Sequence, residues 1–193
     1  MKRSELEHII RAAGAIADVQ KVIIVGSQAI LAQFPDLSTP LVESDRSEVS
    51  LINQNRDILI KSIEADIIIP DSAEKTEMVE AALGELSLFH ETFRYYAQGV
   101  DLATSKLPDG WENRLVEICS ENTNGISGLC LEIHDLMISK LYAGREKDIE
   151  FFKAAVNLGL LSKETLIDRL NKISLPNERR VIIEKHIQRG FSE

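Results

Sequence analysis

Apolar residues recur at spacings of three and four through Leu6, Ile9, Ile10, Ala13, Ile16 and Ala17, which predicts an amphipathic helix with one buried face. Ser4 and Glu7 lie three apart ahead of that face, the spacing of a capping box. The period then changes. Residues 21–25 are a short β-branched run stopped by Gly26, the pattern of a buried strand, and residues 27–34 have helix-forming composition up to Pro35. Between residues 35 and 61, Pro40 and a mixture of Ser, Asp and Asn blur the pattern. That stretch predicts a long loop or insertion with room for a short helix over 52–60. A second strand, 63–69, ends at Pro70-Asp71-Ser72, and Ser72 is placed to cap a helix carrying Met78, Val79, Ala82, Leu83 and Leu86.

Further strands are predicted over 93–100, 115–119 and 129–133, separated by Leu107-Pro108-Asp109-Gly110 and the turn-rich residues 122–128. After His134 the pattern is helical throughout, over 135–142, 145–158, 163–173 and 177–189, with joints at Gly144, Gly159 and residues 174–176. The expected class is α/β (α+β), a small mixed sheet of four to five strands flanked by helices with a C-terminal helical lobe. Residues 1–133 are expected to form the core, and residues 134–193 a lobe packed on it that contributes Lys140 and Asp148 to a site.

Composition fits a globular chain of one compact unit, with 193 residues, 44% apolar and 27% charged. The N-terminal Met1-Lys2-Arg3-Ser4-Glu5 is polar, unlike a signal peptide, and no apolar run approaches the roughly 18 residues of a membrane span. Cys119 and Cys130 stand outside any Cys-x-x-Cys or Cys/His cluster, so neither a disulfide scaffold nor a zinc site is expected. A cytoplasmic protein with no membrane association is the expectation. The net charge of −9 argues against broad binding to long nucleic acids, which rests on phosphate neutralisation. That charge is uneven: from Lys163 onward seven basic residues face five acidic ones, so the preceding residues carry −11. The C-terminal segment reads either as a phosphate- or RNA-end-binding lobe or as a charged, solvated helix face.

Four clusters carry candidate chemistry. Glu64 and Asp66, at i and i+2 of a strand, project two carboxylates from one face about 7 Å apart along the backbone. Magnesium-like cations take such oxygen ligands and keep positions open for phosphates, whereas a half-exposed strand with alternating charge is the structural alternative. Gly26 permits close backbone approach to a phosphate, with Ser27 at a helix start; a plain strand-to-helix turn is the alternative there. Lys140, Arg145 and Asp148 could hold a triphosphate, with Asp148 orienting the cations or acting as base, or could form a surface ion-pair array. Tyr95, Tyr96 and Trp111 could line a base pocket or belong to the core, and Asp101 is the nearest candidate for a third metal carboxylate. His90 and His134 lack metal-like spacing and read as capping or hydrogen-bonding residues.

Taken together, Val25-Gly-Ser-Gln-Ala-Ile-Leu31, Phe34-Pro-Asp36, Glu64-Ala-Asp66, Leu107-Pro, Gly110-Trp and the stretch from Asp135-Leu through Ser139-Lys-Leu to Gly144-Arg-Glu-Lys-Asp148 resemble the DNA polymerase beta-like nucleotidyltransferase superfamily. More narrowly they resemble abortive-infection nucleotidyltransferase-type toxins and their uncharacterised bacterial relatives. The resemblance covers roughly residues 22–152. It implies transfer of a nucleoside monophosphate from a nucleoside triphosphate to an acceptor, with Mg2+ or Mn2+ as cofactor and a transfer RNA or other RNA end as one acceptor class. A toxin role would bring an antitoxin or other neighbouring-gene product as partner. Carried over, Glu64 and Asp66 bind metal, Gly26, Ser27, Lys140 and Arg145 hold the nucleotide, and Glu64, Asp66, Lys140 and Asp148 serve catalysis. Glu64 stands where the superfamily usually has Asp, and the segment between Asp36 and Lys61 is longer than its pattern. A catalytically degenerate member of the fold, acting as a binding or regulatory module, is the alternative.

Overall fold

The β-branched runs form five strands in the computed structural model, which describes residues 1–39, 41, 46–102 and 105–192. They are β1 (Lys21–Ile24), β2 (Glu64–Ile68), β3 (Tyr96–Gly99), β4 (Val116–Ile118) and β5 (Ser127–Cys130). One mixed sheet joins them in the order β3-β2-β1-β5-β4. Strand β1 is antiparallel to β2 and parallel to β5, β2 is parallel to β3, and β4 is antiparallel to β5. The helices are α1 (Arg3–Ala17), α2 (Arg46–Ile60), α3 (Ala73–Leu83), α4 (Leu88–Phe93), α5 (Ile133–Ala143), α6 (Glu146–Asn157), α7 (Lys163–Asn171) and α8 (Asn177–Gly190). No helix among the described residues is long and apolar enough to cross a membrane.

The pairing Ile24↔Ile67, Ile24↔Cys130 and Ala65↔Ala97 puts Val22, Ile24, Ala65, Ile67, Ala97 and Cys130 on one face of the sheet, all buried. Helices α1 and α3 cover that face. The same alternation turns Glu64, Asp66, Tyr96 and Gln98 to the opposite face, which is only half buried. The sheet therefore has an apolar side that holds the fold and a polar side free to do chemistry.

Local expectations change at several places. The strand expected over 129–133 is β5 at Ser127–Cys130, with Ile133 already in α5, and α3 stops at Leu83, leaving Leu86 exposed beyond its end. Residues 46–60, expected as loop with a short helix, form the 15-residue α2, while Pro40 and residues 42–45 of that stretch lie outside the described residues. Its period is masked because Asn55 occupies a buried position, donating to the Leu51 carbonyl at 3.0 Å and accepting from Asn157 at 3.3 Å. Residues 27–34 yield a six-residue 3₁₀ helix, Ser27–Ala32, because Gln28, Ala29, Ile30 and Leu31 are all buried and leave no single apolar face. The α1 cap lies two residues earlier than the Ser4–Glu7 spacing suggests: Glu5 Oε2 accepts from the Lys2 N–H at 2.6 Å. Glu7 is instead buried and accepts from Arg3, Ser120 and Asn122. The run 93–100 splits into the end of α4 and β3, with Arg94 left-handed at φ 66° between them.

Several of the C-terminal arginines are committed inside the molecule. Arg180 donates to the Leu170 and Ile173 carbonyls at 2.9 Å each, closing the end of α7. Arg179 donates to the Tyr142 and Ala143 carbonyls at the end of α5. Arg169 and Arg114 converge on the fully buried carboxylate of Asp135, Arg114 as a two-point fork at 2.7 and 3.0 Å. Arg114 also donates to the Pro108 and Asp109 carbonyls, which pins the Leu107-Pro-Asp-Gly turn and puts Trp111 in the core. Removing Asp135 leaves two partly buried guanidinium groups side by side without the carboxylate they share. Asp135→Ala is expected to cost about 3 kcal/mol of unfolding free energy in urea denaturation, whereas truncating the exposed Asp168 should leave the denaturation midpoint nearly unchanged.

Candidate active site

Strand β1 ends beside Asp66 because β1 and β2 pair at Ile23↔Ile68 and the Val25 N–H donates to the Asp66 carbonyl at 3.1 Å. The chain then continues through Gly26, whose absent side chain makes room for a carboxylate. A Cβ there would fall 1.7 Å from Asp66 Oδ2 and 2.6 Å from its Cγ. The close approach that sequence reasoning assigned to a phosphate is therefore made, in the first instance, by Asp66. Ser27 heads a short 3₁₀ helix, not an α-helix, so its contribution is its hydroxyl more than a macrodipole. Next to it Gln28 is fully buried, donates weakly to Ser27 Oγ at 3.4 Å, and leaves Oε1 without a hydrogen-bond partner.

On β2, Glu64 stands on the same face as Asp66. Its neighbours on β3 hold it: Tyr96 Oη donates to Glu64 Oε2 at 2.8 Å. The Gln98 amide, in the orientation that gives both groups partners, donates from its nitrogen to Oε1 and Oε2 at 3.1 and 3.2 Å. The resulting arrangement is a carboxylate pair bordered by neutral donors.

The cations come from the joint between α5 and α6. Gly144, left-handed at φ 66°, ends α5, and Arg145 becomes the N-cap of α6 with its N–H on Asp148 Oδ2 at 3.3 Å. Asp148 is fully buried and grips both cations, Arg145 by a two-point fork at 2.7 and 3.2 Å and Lys140 Nζ at 3.4 Å. Lys140 Nζ also lies 4.6 Å from the centre of the Phe151 ring.

Two clefts meet at these residues. The first, about 350 Å³, is lined by Ser27, Lys61, Glu64, Asp66, Lys140 and Lys147, among others. The second, about 370 Å³, is lined by Gly26, Val100, Lys106, Ser139, Tyr142 and others, and shares Asp66, Lys140 and Arg145 with the first. All seven residues that the resemblance assigns to the site, Gly26, Ser27, Glu64, Asp66, Lys140, Arg145 and Asp148, line one or both clefts, Asp148 from beneath the two cations. Asp101 lines neither.

A family model described as a nucleotidyltransferase of unknown function (DUF6036) matches residues 4–189. The chain belongs to that nucleotidyltransferase family. Among curated proteins and among solved structures, nothing matches.

The electrostatics suit a member of this nucleotidyltransferase family. Burial, a hydrogen bond with Glu64 and the Glu64 charge push the Asp66 carboxyl from 3.8 up to about 7, with Lys140 and Lys147 opposing. Burial lowers Lys140, against the pull of Asp148 and Asp66. Burial works against ionisation of Asp148, yet hydrogen bonds and charge from Arg145 and Lys140 outweigh it and hold that carboxyl below the usual range. Lys140 thus has a counter-ion in Asp148, while the Glu64–Asp66 pair carries negative charge that the protein leaves largely uncompensated. A hard divalent cation fits that oxygen donor set. Among the described residues no group of three or more His, Cys, Asp or Glu is placed to hold a metal ion, so phosphate or water oxygens would complete its shell.

Sequence reasoning missed Tyr96 and Gln98 as partners of Glu64, and Lys61, Lys106 and Lys147 as lining cations. Tyr96 and Gln98 do alternate with period two, but only the β2–β3 register shows that they face Glu64 and Asp66. Tyr95, by contrast, stacks with His8, Phe89 and Phe93. His90 accepts from the Leu86 N–H and His134 from the Ser162 N–H, both as hydrogen-bonding residues.

Gly26→Ala is expected to displace the Asp66 carboxylate and weaken nucleoside triphosphate binding at least about tenfold by calorimetry, with the thermal midpoint within about 5 °C of wild type. Normal binding in that variant would contradict the packing assigned to Asp66. A second expectation follows from the Asp66 titration in EDTA. Its raised value means the folded chain prefers the protonated form, so this stabilisation is full below 3.8 and is lost as pH rises through about 7. Urea denaturation should show wild type losing stability relative to Asp66→Asn across that window, and parallel profiles would refute the assignment.

Proposed function

We propose that the chain moves a nucleoside monophosphate from a nucleoside triphosphate to an acceptor, on a polymerase beta-like nucleotidyltransferase core spanning residues 1–133 with residues 134–193 supplying Lys140 and Asp148. The observation that carries this reading is the convergence of Glu64 and Asp66 with Ser27, Lys140, Arg145 and Lys147 around one cleft. Lys61, Lys140 and Lys147 neutralise the triphosphate in the first cleft, and the Ser27 hydroxyl donates to a phosphate oxygen. Asp148 keeps Lys140 and Arg145 in place as a positioning residue, since it is fully buried behind them. Glu64 and Asp66 would hold Mg2+ or Mn2+, which when bound polarises the α-phosphate and screens the departing pyrophosphate. The acceptor approaches from the second cleft, because Asp66, Lys140 and Arg145 border both. An RNA end, including a transfer RNA end, is the acceptor class the resemblance favours, with a toxin role beside a neighbouring-gene antitoxin as its biological setting.

The test is incubation with each α-labelled ribonucleoside triphosphate, Mg2+ and total cellular RNA. Label should enter an acceptor with release of pyrophosphate. Asp66→Ala should abolish labelling while leaving circular dichroism unchanged, and Lys140→Met should lower the rate about 10²–10³-fold, the range for a lost electrostatic donor. Nucleotide binding without pyrophosphate release on any acceptor would favour a catalytically silent binding module. Failure of wild type to bind any triphosphate at millimolar nucleotide with Mg2+ would overturn the reading.

A further inference from the structure

The place on β3 directly across from Asp66 is taken by an amide, Gln98, in the register Asp66↔Gln98. A carboxylate there would complete a three-carboxylate set able to bridge two cations; an amide adds no charge. Glu64 is also heavily engaged before any ligand arrives. A carboxylate offers about four lone-pair positions. Tyr96 uses one on Oε2 at 2.8 Å, and the Gln98 nitrogen approaches both oxygens at 3.1 and 3.2 Å. Glu64 is thus left with about one further direction, the one it shares with Asp66, and its longer side chain is fixed against β3 instead of sweeping the cleft. Asp66, pressed against the Gly26 backbone, is fixed from the other side.

We propose that Tyr96 and Gln98 are positioning residues that set Glu64 as a one-point ligand, and that the site consequently takes a single divalent cation, delivered with the triphosphate. The inference rests on the nucleotidyl-transfer reading and specifies its cation. Two protein carboxylate ligands do not fill the coordination of a hard divalent cation, so the remaining ligands are phosphate oxygens and water. Free cation binds weakly for the same reason. The lysines of the first cleft take the neutralising role that a second cation would otherwise have on the phosphates.

The experiment counts bound Mn2+ by electron paramagnetic resonance of the full chain, with and without an α,β-methylene nucleoside triphosphate analogue that cannot react. Wild type is expected to bind one Mn2+ per chain with the analogue, and at least about tenfold more weakly without it. Gln98→Glu, which adds the missing charge at nearly constant size, should bind Mn2+ without nucleotide at least about tenfold more tightly than wild type. Tyr96→Phe should weaken Mn2+ about tenfold in the presence of the analogue, as expected for loss of an outer-shell hydrogen bond, while nucleotide affinity measured without divalent cation stays unchanged. Two Mn2+ per wild-type chain, or a Gln98→Glu variant with unaltered cation affinity, would overturn the inference and leave nucleotidyl transfer standing. Absence of nucleotide binding under every condition would remove both, and is scored separately from the cation count. Thermal melts of each variant report whether an effect reflects unfolding.

Discussion

The contact on which the site depends is the one between the Asp66 carboxylate and the backbone at Gly26. It exists because two strands of opposite direction, β1 and β2, pair so that the end of one lies beside the middle of the other. Any side chain at position 26 would occupy the volume of Oδ2. Asp66 is in consequence half-buried, close to Glu64 and at the border of both clefts. Apolar packing on the other face supplies the rigidity: Ala65 and Ile67, the residues flanking Asp66, are fully buried under α1 and α3. A carboxylate held by its neighbours in the sheet cannot relax away from its own electrostatic cost, and a cation relieves that cost.

The opposite charge is arranged by a break in a helix. In a continuous α-helix, Lys140 and Asp148 would be separated by about 12 Å of axial rise at 1.5 Å per residue. The left-handed Gly144 ends α5, Arg145 starts α6, and the two residues come to 3.4 Å. Asp148 then serves three purposes with one buried carboxylate: it caps α6, it forks with Arg145 and it holds Lys140. Lys140 and Arg145 are thereby paired with Asp148, and among the described residues no cation forms an ion pair with either strand carboxylate. A cleft built this way is what the proposed ligand, a polyphosphate together with a divalent cation, would need.

Much of this was legible in the chain. Glu64 and Asp66 declare themselves through period two beside a β-branched run, Gly26 through its place at a strand end, and Lys140, Arg145 and Asp148 through their spacing around Gly144. What the chain conceals is register and rank of burial. Tyr96 and Gln98 are near Glu64 only because β3 joins β2 in parallel at Glu64↔Tyr96, a long-range pairing that no local pattern encodes. Helix α2 was obscured by Asn55, a polar residue satisfied in the interior by Leu51 and Asn157. The 3₁₀ turn after Gly26 was obscured for the converse reason, four consecutive residues buried together.

Counting charge along the C-terminal segment misleads in an instructive way. Arg179 and Arg180 close helix ends through carbonyl oxygens, and Arg169 joins Arg114 on Asp135, so these guanidinium groups stabilise the helical packing instead of presenting a phosphate-binding surface. Cations available to a substrate gather locally around the clefts, in Lys61, Lys106, Lys140, Arg145 and Lys147. With a net charge of −9 over the whole chain, long-range attraction to an extended polyanion is weak. Two adjoining clefts of about 350 and 370 Å³ are of the size that holds a small ligand. On the proposed nucleotidyl transfer, clefts of this size would hold a phosphate group and the atoms next to it, and an acceptor of any length would need to offer only its reacting end.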